Sequence, residues 1–238
     1  MVRAAAPGIA IERLIDHLFD GGSVDLADEL AGWLVSSARF RAFVQANRDK
    51  IRKKLRGAAD AEARRDVRTE LRVAHLLLAE RHLDLAFEAY GSTRGGPDFT
   101  VLYRGRRSFN LEVTRLRRAP AEALDGGALV AKLRQLPPSA PNAILIEIQG
   151  DRAEALDVVS ATRALRLRAD AKDEAFFIGR GLDGTRGFYQ RYLRLGGVLV
   201  WCEGAIGEAR AMQWVNRSAR IALPERAVRA CVLSLRRG

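Results

Sequence analysis

The sequence predicts an α/β fold in which a mixed central sheet is flanked by helices and preceded by a helical amino-terminal extension. Residues 9–56 repeat apolar side chains at helical spacing. Residues 60–150 follow the order helix, three strands, helix, strand, which is typical of an α/β domain. At 238 residues and 48% apolar composition, the chain can bury a sizeable core. We therefore expect a basic helical extension over 1–58 and an α/β domain over 59–238.

The extension is predicted to form several helices over residues 9–56. Apolar residues recur every three or four positions in 9–19, and an Asp-Gly-Gly-Ser sequence at 20–23 interrupts the pattern. The same period resumes over 24–36 and continues from Phe40 into 47–56. Breaks of this kind separate helices that can pack against one another.

The α/β domain is predicted to open with a long helix over 60–81, because apolar residues fall on one stripe of that segment. The elements expected next are strands at 83–90, 99–103 and 108–116, with a hairpin turn at 104–107, a helix at 121–136 and a strand at 142–149. Beyond residue 150, we expect helices at 156–169, 187–195 and 224–235, and strands at 176–178 and 197–202.

The chain is strongly basic, with a net charge of +11, of which +7 lies between Arg39 and Arg72. Such a balance favours nucleic acid as a partner, because cationic side chains release counterions from phosphates. The densest cluster consists of Arg52, Lys53, Lys54 and Arg56. Two interpretations stay open for it, a phosphate-binding surface and a solvated helix face.

Several classes of protein are excluded or disfavoured by composition. No apolar stretch approaches the roughly 18 residues that cross a bilayer. The two cysteines, Cys202 and Cys231, exclude a disulfide scaffold and a four-cysteine zinc site. The first residues run directly into a helical pattern, so we expect no secretory signal, no membrane association and a cytoplasmic location.

Two acidic residues on neighbouring strands are the strongest candidates for a site. The third strand alternates, so that Asn110, Glu112 and Thr114 share one face. Asp98 begins the preceding strand, about as far from the hairpin turn as Glu112, so the two carboxylates can lie side by side. Such a pair suits Mg²⁺ or Mn²⁺, which prefer oxygen ligands. The alternative is a pair of surface acids on a hairpin.

These residues resemble a known family. Pro97-Asp98, thirteen further residues and then Glu112-Val113-Thr114 are similar to the motif of the PD-(D/E)XK nuclease superfamily, which has the restriction-endonuclease-like fold. The resemblance covers residues 60–150, and the order of elements agrees with it. It implies that Asp98 and Glu112 bind a divalent metal, with the carbonyl of Val113 as a further ligand.

The resemblance also implies a glutamate on the first core helix, and Glu70 fits that position beside the apolar stripe. The alternative for Glu70 is a salt bridge to a nearby arginine. The sequence departs from the family at Thr114, where a lysine is usual. Some members take this lysine from the following helix, where Lys132 lies, with Gln135 on the same face. A solvated surface lysine is the alternative for Lys132.

Other signals are weaker. Residues 179–184 match the pattern GxGxxG, but a plain loop is favoured because the preceding strand is poor. Trp201, Trp214 and Tyr192 can stack on bases, although packing in the core is the simpler expectation. Glu147 follows the alternation of the fourth strand, where an acid at the strand edge is the simpler interpretation.

The sequence therefore predicts a Mg²⁺-dependent endonuclease that hydrolyses phosphodiester bonds, with DNA as the expected substrate. The main alternative is a catalytically inactive nuclease-fold module that binds nucleic acid or a partner protein. An RNA-directed enzyme of the same chemistry stays open, and a small-molecule enzyme using the glycine-rich loop is disfavoured. A homodimer and a dedicated protein partner are both left open.

Overall fold

The computed structural model describes residues 7–20, 24–90, 96–116, 127–149, 157–203 and 209–237. The fold is α/β, with a six-stranded mixed open sheet and, in these residues, nine helices. The chain divides into two compact units, Met1–Arg81 and His82–Gly238.

The first unit is helical, as predicted for its amino-terminal part. Its elements are α1 (Pro7–Phe19), α2 (Val24–Ser36), α3 (Ala38–Gly57) and α4 (Ala61–Leu78). The side chain of Ser37 accepts a hydrogen bond from the amide of Phe40 at 3.2 Å, and so caps α3. Asp60 caps α4 in the same way. This unit also includes α4, the helix that the sequence predicts as the first element of the α/β domain.

The second unit contains the whole sheet. Its elements, in chain order, are β1 (Leu83–Phe87), β2 (Phe99–Tyr103), β3 (Arg107–Arg115), α5 (Gly127–Leu133), β4 (Asn142–Gln149), α6 (Val158–Asp170), α7 (Glu174–Ile178), α8 (Gly184–Tyr192), β5 (Leu195–Glu203), β6 (Arg210–Val215) and α9 (Glu225–Leu235). The strands lie in the order β1-β2-β3-β4-β5-β6. Neighbours are antiparallel except for β3–β4 and β4–β5, which are parallel.

The two faces of the sheet are covered by different helices. On one face, Ile144 and Val198 pack in a core with apolar residues of α5, α6, α7 and α8. On the other, the buried indole of Trp201 donates a hydrogen bond to the carbonyl of Leu235 at 3.1 Å, which joins the sheet to the end of α9. Glu112 belongs to the first face, because it pairs with Ile144 in the register of β3 and β4.

One strand prediction was wrong, and one strand was missed. Residues 176–178 were expected to form a strand but belong to α7, which Asp173 caps by accepting from the amide of Phe176. The edge strand β6 was not expected at all. Of the helix predicted at 121–136, residues 121–126 lie outside the described residues, and the helix ends at Leu133. In the described ranges, no helix combines the length and apolar character needed to cross a membrane.

Candidate active site

The hairpin of β2 and β3 brings Asp98 opposite Glu112. The register pairs Phe99 with Leu111 and Thr100 with Asn110. Continued by one residue, the same register places Asp98 directly across from Glu112. Side chains alternate along a strand, so both carboxylates lie on the face covered by α5. Both residues are buried, with 9% of Asp98 and 2% of Glu112 exposed.

Asp98 is held by the backbone of the neighbouring strand. Its Oδ2 accepts a hydrogen bond from the amide of Val113 at 2.9 Å. The amides of Asn110 and Leu116 donate in the opposite direction, to the carbonyls of Pro141 and Glu147. Since the amide and carbonyl of one strand residue face the same side, the carbonyl of Val113 also faces the side where Asp98 lies.

Glu112 is held by two side chains from the region of α5. The amine of Lys132 donates to its Oε1 at 2.6 Å. The amide of Gln135, oriented so that its nitrogen faces the carboxylate, donates to Oε2 at 2.8 Å. Leu129 and Leu133 are buried in the core and fix α5 against the sheet, which brings Lys132 over Glu112. A buried carboxylate is thus balanced by one cation and one polar donor.

Thr114 supplies no charge at the position where the family that the motif resembles usually has a lysine. It is half-buried on the same face as Glu112. The cation of this cluster instead comes from Lys132, whose side chain is 26% exposed and so open to water. Arg115 points to the opposite face, as strand alternation requires.

The donor set is compatible with a hard divalent cation. Two carboxylates and a backbone carbonyl are oxygen donors, and Mg²⁺ is commonly bound through one or two carboxylates with water completing its shell. In the described part of the chain, there is no group of three or more His, Cys, Asp or Glu side chains that could hold a metal. The cluster of Asp98 and Glu112 offers only oxygen donors, and the thiolate and imidazole ligands typical of a structural zinc site are not part of it.

A buried polar network lies next to this pair along β3, and sequence reasoning missed it. The amide of Asn110 donates to Asn142 Oδ1 at 3.0 Å and to the hydroxyl of Tyr90 at 3.1 Å, and its oxygen accepts from Thr100. Asn142 is fully buried and lies within 3.0 Å of three backbone carbonyls. An asparagine at the first position of an apolar strand was the available signal. The network joins the interior of β3 to the start of β4, close to Glu112.

In the first unit, most of the basic cluster predicted to bind nucleic acid is engaged internally. Lys54 forms an ion pair with Glu70, so the alternative expected for that glutamate occurs with a lysine in place of an arginine. Arg52 and Arg56 both pair with Asp20, and these hydrogen bonds lower the pKa of Asp20 to about 2. Lys53 is exposed. The catalytic role of Glu70 and the phosphate-binding role of this cluster stay predictions.

The structure places the weaker candidate residues away from the two carboxylates or in unsuitable surroundings. Residues 179–184 follow the short helix α7 instead of a strand, so the context of a dinucleotide site is lacking. Glu147 pairs with Arg115 in the sheet register and lies on the face opposite Glu112. Trp201 is core, whereas Trp214 is only half-buried.

No family model, no curated protein and no solved structure matches this chain. The chemistry of the site is therefore the basis for inferring a function. Two adjacent carboxylates beside an amine can bind a hard cation and an anionic substrate together, which is the requirement of phosphoryl chemistry.

Proposed function

We propose that the chain is a metal-dependent nuclease that hydrolyses phosphodiester bonds in nucleic acid, with DNA as the expected substrate. The observation that carries the proposal is the placement of the Lys132 amine 2.6 Å from Glu112, on the face that Asp98 shares. The net charge of +11 and the order of helix, three strands, helix and strand support it.

In this proposal, Asp98, Glu112 and the carbonyl of Val113 hold Mg²⁺ or Mn²⁺. When bound, such a cation polarises a phosphoryl oxygen and lowers the pKa of its water. Lys132 supplies the positive charge that the motif lysine would give, orienting the attacking water and stabilising charge on the phosphate. Gln135 holds the carboxylate of Glu112 in one orientation. Thr114 can donate a hydrogen bond but cannot neutralise charge.

The direct test is cleavage of labelled single- and double-stranded DNA and RNA by the purified protein in Mg²⁺, Mn²⁺ or EDTA. We expect metal-dependent cleavage that Asp98→Asn and Glu112→Gln abolish and that Lys132→Met reduces by at least about 100-fold. Glu147→Gln is the matched control, because it removes the charge of another buried carboxylate, one on the opposite face. Equal activity in Glu112→Gln and Glu147→Gln would show that the cluster is not the active site.

A second candidate is a module that binds nucleic acid without cleaving it. It is favoured by the engagement of Glu112, since each carboxylate oxygen already accepts a hydrogen bond from Lys132 or Gln135. The absence of a cation at Thr114 also favours it. This candidate predicts binding without cleavage under every metal, and an affinity that Asp98→Asn leaves unchanged.

A further inference from the structure

A groove of about 420 Å³ lies in the second unit, away from the carboxylates. Helix α6 forms one wall of it, and Tyr192 from α8 and Trp214 from β6 contribute aromatic rings. Tyr192 is almost wholly buried and Trp214 half-buried, so the indole is the aromatic surface that a ligand can reach.

The groove combines apolar surface with positive charge. Val159 and Leu167 line it and are 60% and 58% exposed, which is unusual for such residues. Arg163 and Arg166 also line it and are exposed. In the part of the chain that the structure describes, Arg166 interacts with the hydroxyls of Tyr189 and Tyr192, and neither arginine forms an ion pair with a carboxylate. The one acid in the lining, Asp170, accepts a hydrogen bond from the hydroxyl of Tyr189 at 2.5 Å.

The sheet register connects this groove with the candidate active site. Trp214 pairs with Val198, Val198 with Ile144, and Ile144 with Glu112. All four residues therefore lie in one row across the same face of the sheet. Three strand spacings separate Glu112 from Trp214, which is about 14 Å between their backbones.

We propose that the groove binds a single-stranded stretch of nucleic acid, with bases stacked on Trp214 and backbone phosphates held by Arg163 and Arg166. The inference rests on the proposed function, because it assigns the form of the substrate. An aromatic ring that shares a groove with cations is the combination that single-strand binding uses, since stacking requires the faces of unpaired bases. A duplex would offer its phosphates to the arginines but no base face to the indole.

The test measures affinity, not cleavage, in EDTA, with fluorescent oligothymidylate and a duplex of equal length as the probes. The variants are Trp214→Ala and the double variant Arg163→Gln/Arg166→Gln, whose exposed positions tolerate substitution. The matched control is Arg226→Gln/Arg229→Gln, which removes two exposed arginines from α9 on the other face of the sheet.

We expect Trp214→Ala to weaken oligothymidylate binding by about 5-fold or more, as for the removal of one stacked base. The double arginine variant should lower the slope of log affinity against log salt by about 0.7 for each phosphate that the protein no longer neutralises. The control should retain the wild-type affinity and slope. Quenching of tryptophan fluorescence by oligothymidylate should disappear in Trp214→Phe. This conservative variant keeps an aromatic ring at the position, so it tests the contact even if the alanine variant misfolds.

The other outcomes are each decisive. Wild-type affinity in both groove variants would overturn the assignment while leaving the proposed function intact. An equal loss of duplex affinity would identify a general phosphate surface and overturn the single-strand assignment. Displacement of oligothymidylate by polyglutamate at equal charge would show that the groove accepts any polyanion, and so overturn the role of stacking. Failure of the wild-type protein to bind any nucleic acid would remove both proposals together.

Discussion

Replacing Lys132 with methionine tests the central contact of the candidate site without any assay of activity. The substitution keeps the length of the side chain but leaves Glu112, which is 2% exposed, without its cation. Removing one partner of a buried ion pair costs about 3–5 kcal/mol. Here the lysine is 26% exposed and Gln135 still donates to Oε2 at 2.8 Å, so water and the amide compensate in part. We expect a loss of about 2–3 kcal/mol in the free energy of unfolding.

The assay is urea unfolding in EDTA, followed by tryptophan fluorescence, on Lys132→Met, Glu112→Gln and the double variant. Because the two side chains contact each other, the cycle should give a coupling energy of about 1–2 kcal/mol. Lys172→Met is the matched control, since Lys172 is exposed and lies in the same unit, and it should change stability by less than about 0.5 kcal/mol. The buried pair would be refuted if the two lysine variants lost equal free energy of unfolding. It would also be refuted if the loss in the double variant equalled the sum of the two single losses.

Three further predictions concern parts of the structure away from this pair. Asn142→Leu should cost about 3 kcal/mol in urea unfolding, because it leaves buried carbonyls without a donor; a cost below about 1 kcal/mol would contradict the network. Gly184→Ala should lower Tm by several degrees, because φ is +57° and the new Cβ would meet the carboxylate of Glu174; an unchanged Tm would show that this turn relaxes freely. Burial, and then Arg72, lowers the pKa of His75 to about 4, so the folded state loses stability as the pH falls from 6.5 towards 4, where only the unfolded chain takes up the proton. Because solvent screens the partly exposed ring, we expect the free energy of unfolding to fall by about 1–2 kcal/mol over this range, as measured by urea unfolding at each pH. The variant His75→Phe should not show this loss. The same pH dependence in both proteins would mean that other groups cause it.

Long periodic segments and alternating strands were predictable from the sequence. The bounds of β2 and β4 were predicted correctly, because each is a compact apolar run between turn signals. Residues 176–178 were misread as a strand because so short an apolar run has too few positions to distinguish periods of 2 and 3.6. The N-cap of their helix, Asp173, was the better signal. The strand Arg210–Val215 was missed because most of its residues are exposed on both faces, so no alternation appears.

The candidate site was predictable in part for the same reason. The alternation of β3 placed Asn110, Glu112 and Thr114 on one face, and the hairpin placed Asp98 opposite Glu112. The contact of Lys132 with Glu112 depends on packing of α5, which no spacing in the sequence gives. Likewise, the pairing of Lys54 with Glu70 joins two helices whose packing is a tertiary property.

The strand order of the sheet, which is the same as the order along the chain, bears on how the protein folds. The β2–β3 hairpin needs only a short loop, so its closure is fast and costs little chain entropy. The parallel pairs β3–β4 and β4–β5 need longer crossovers and should form later. We therefore expect the two carboxylates to meet early, on an open hairpin with water still around them. The two carboxylates would then lose their water only when α5 packs on the sheet. This late step would bury both acids and place Lys132 beside Glu112.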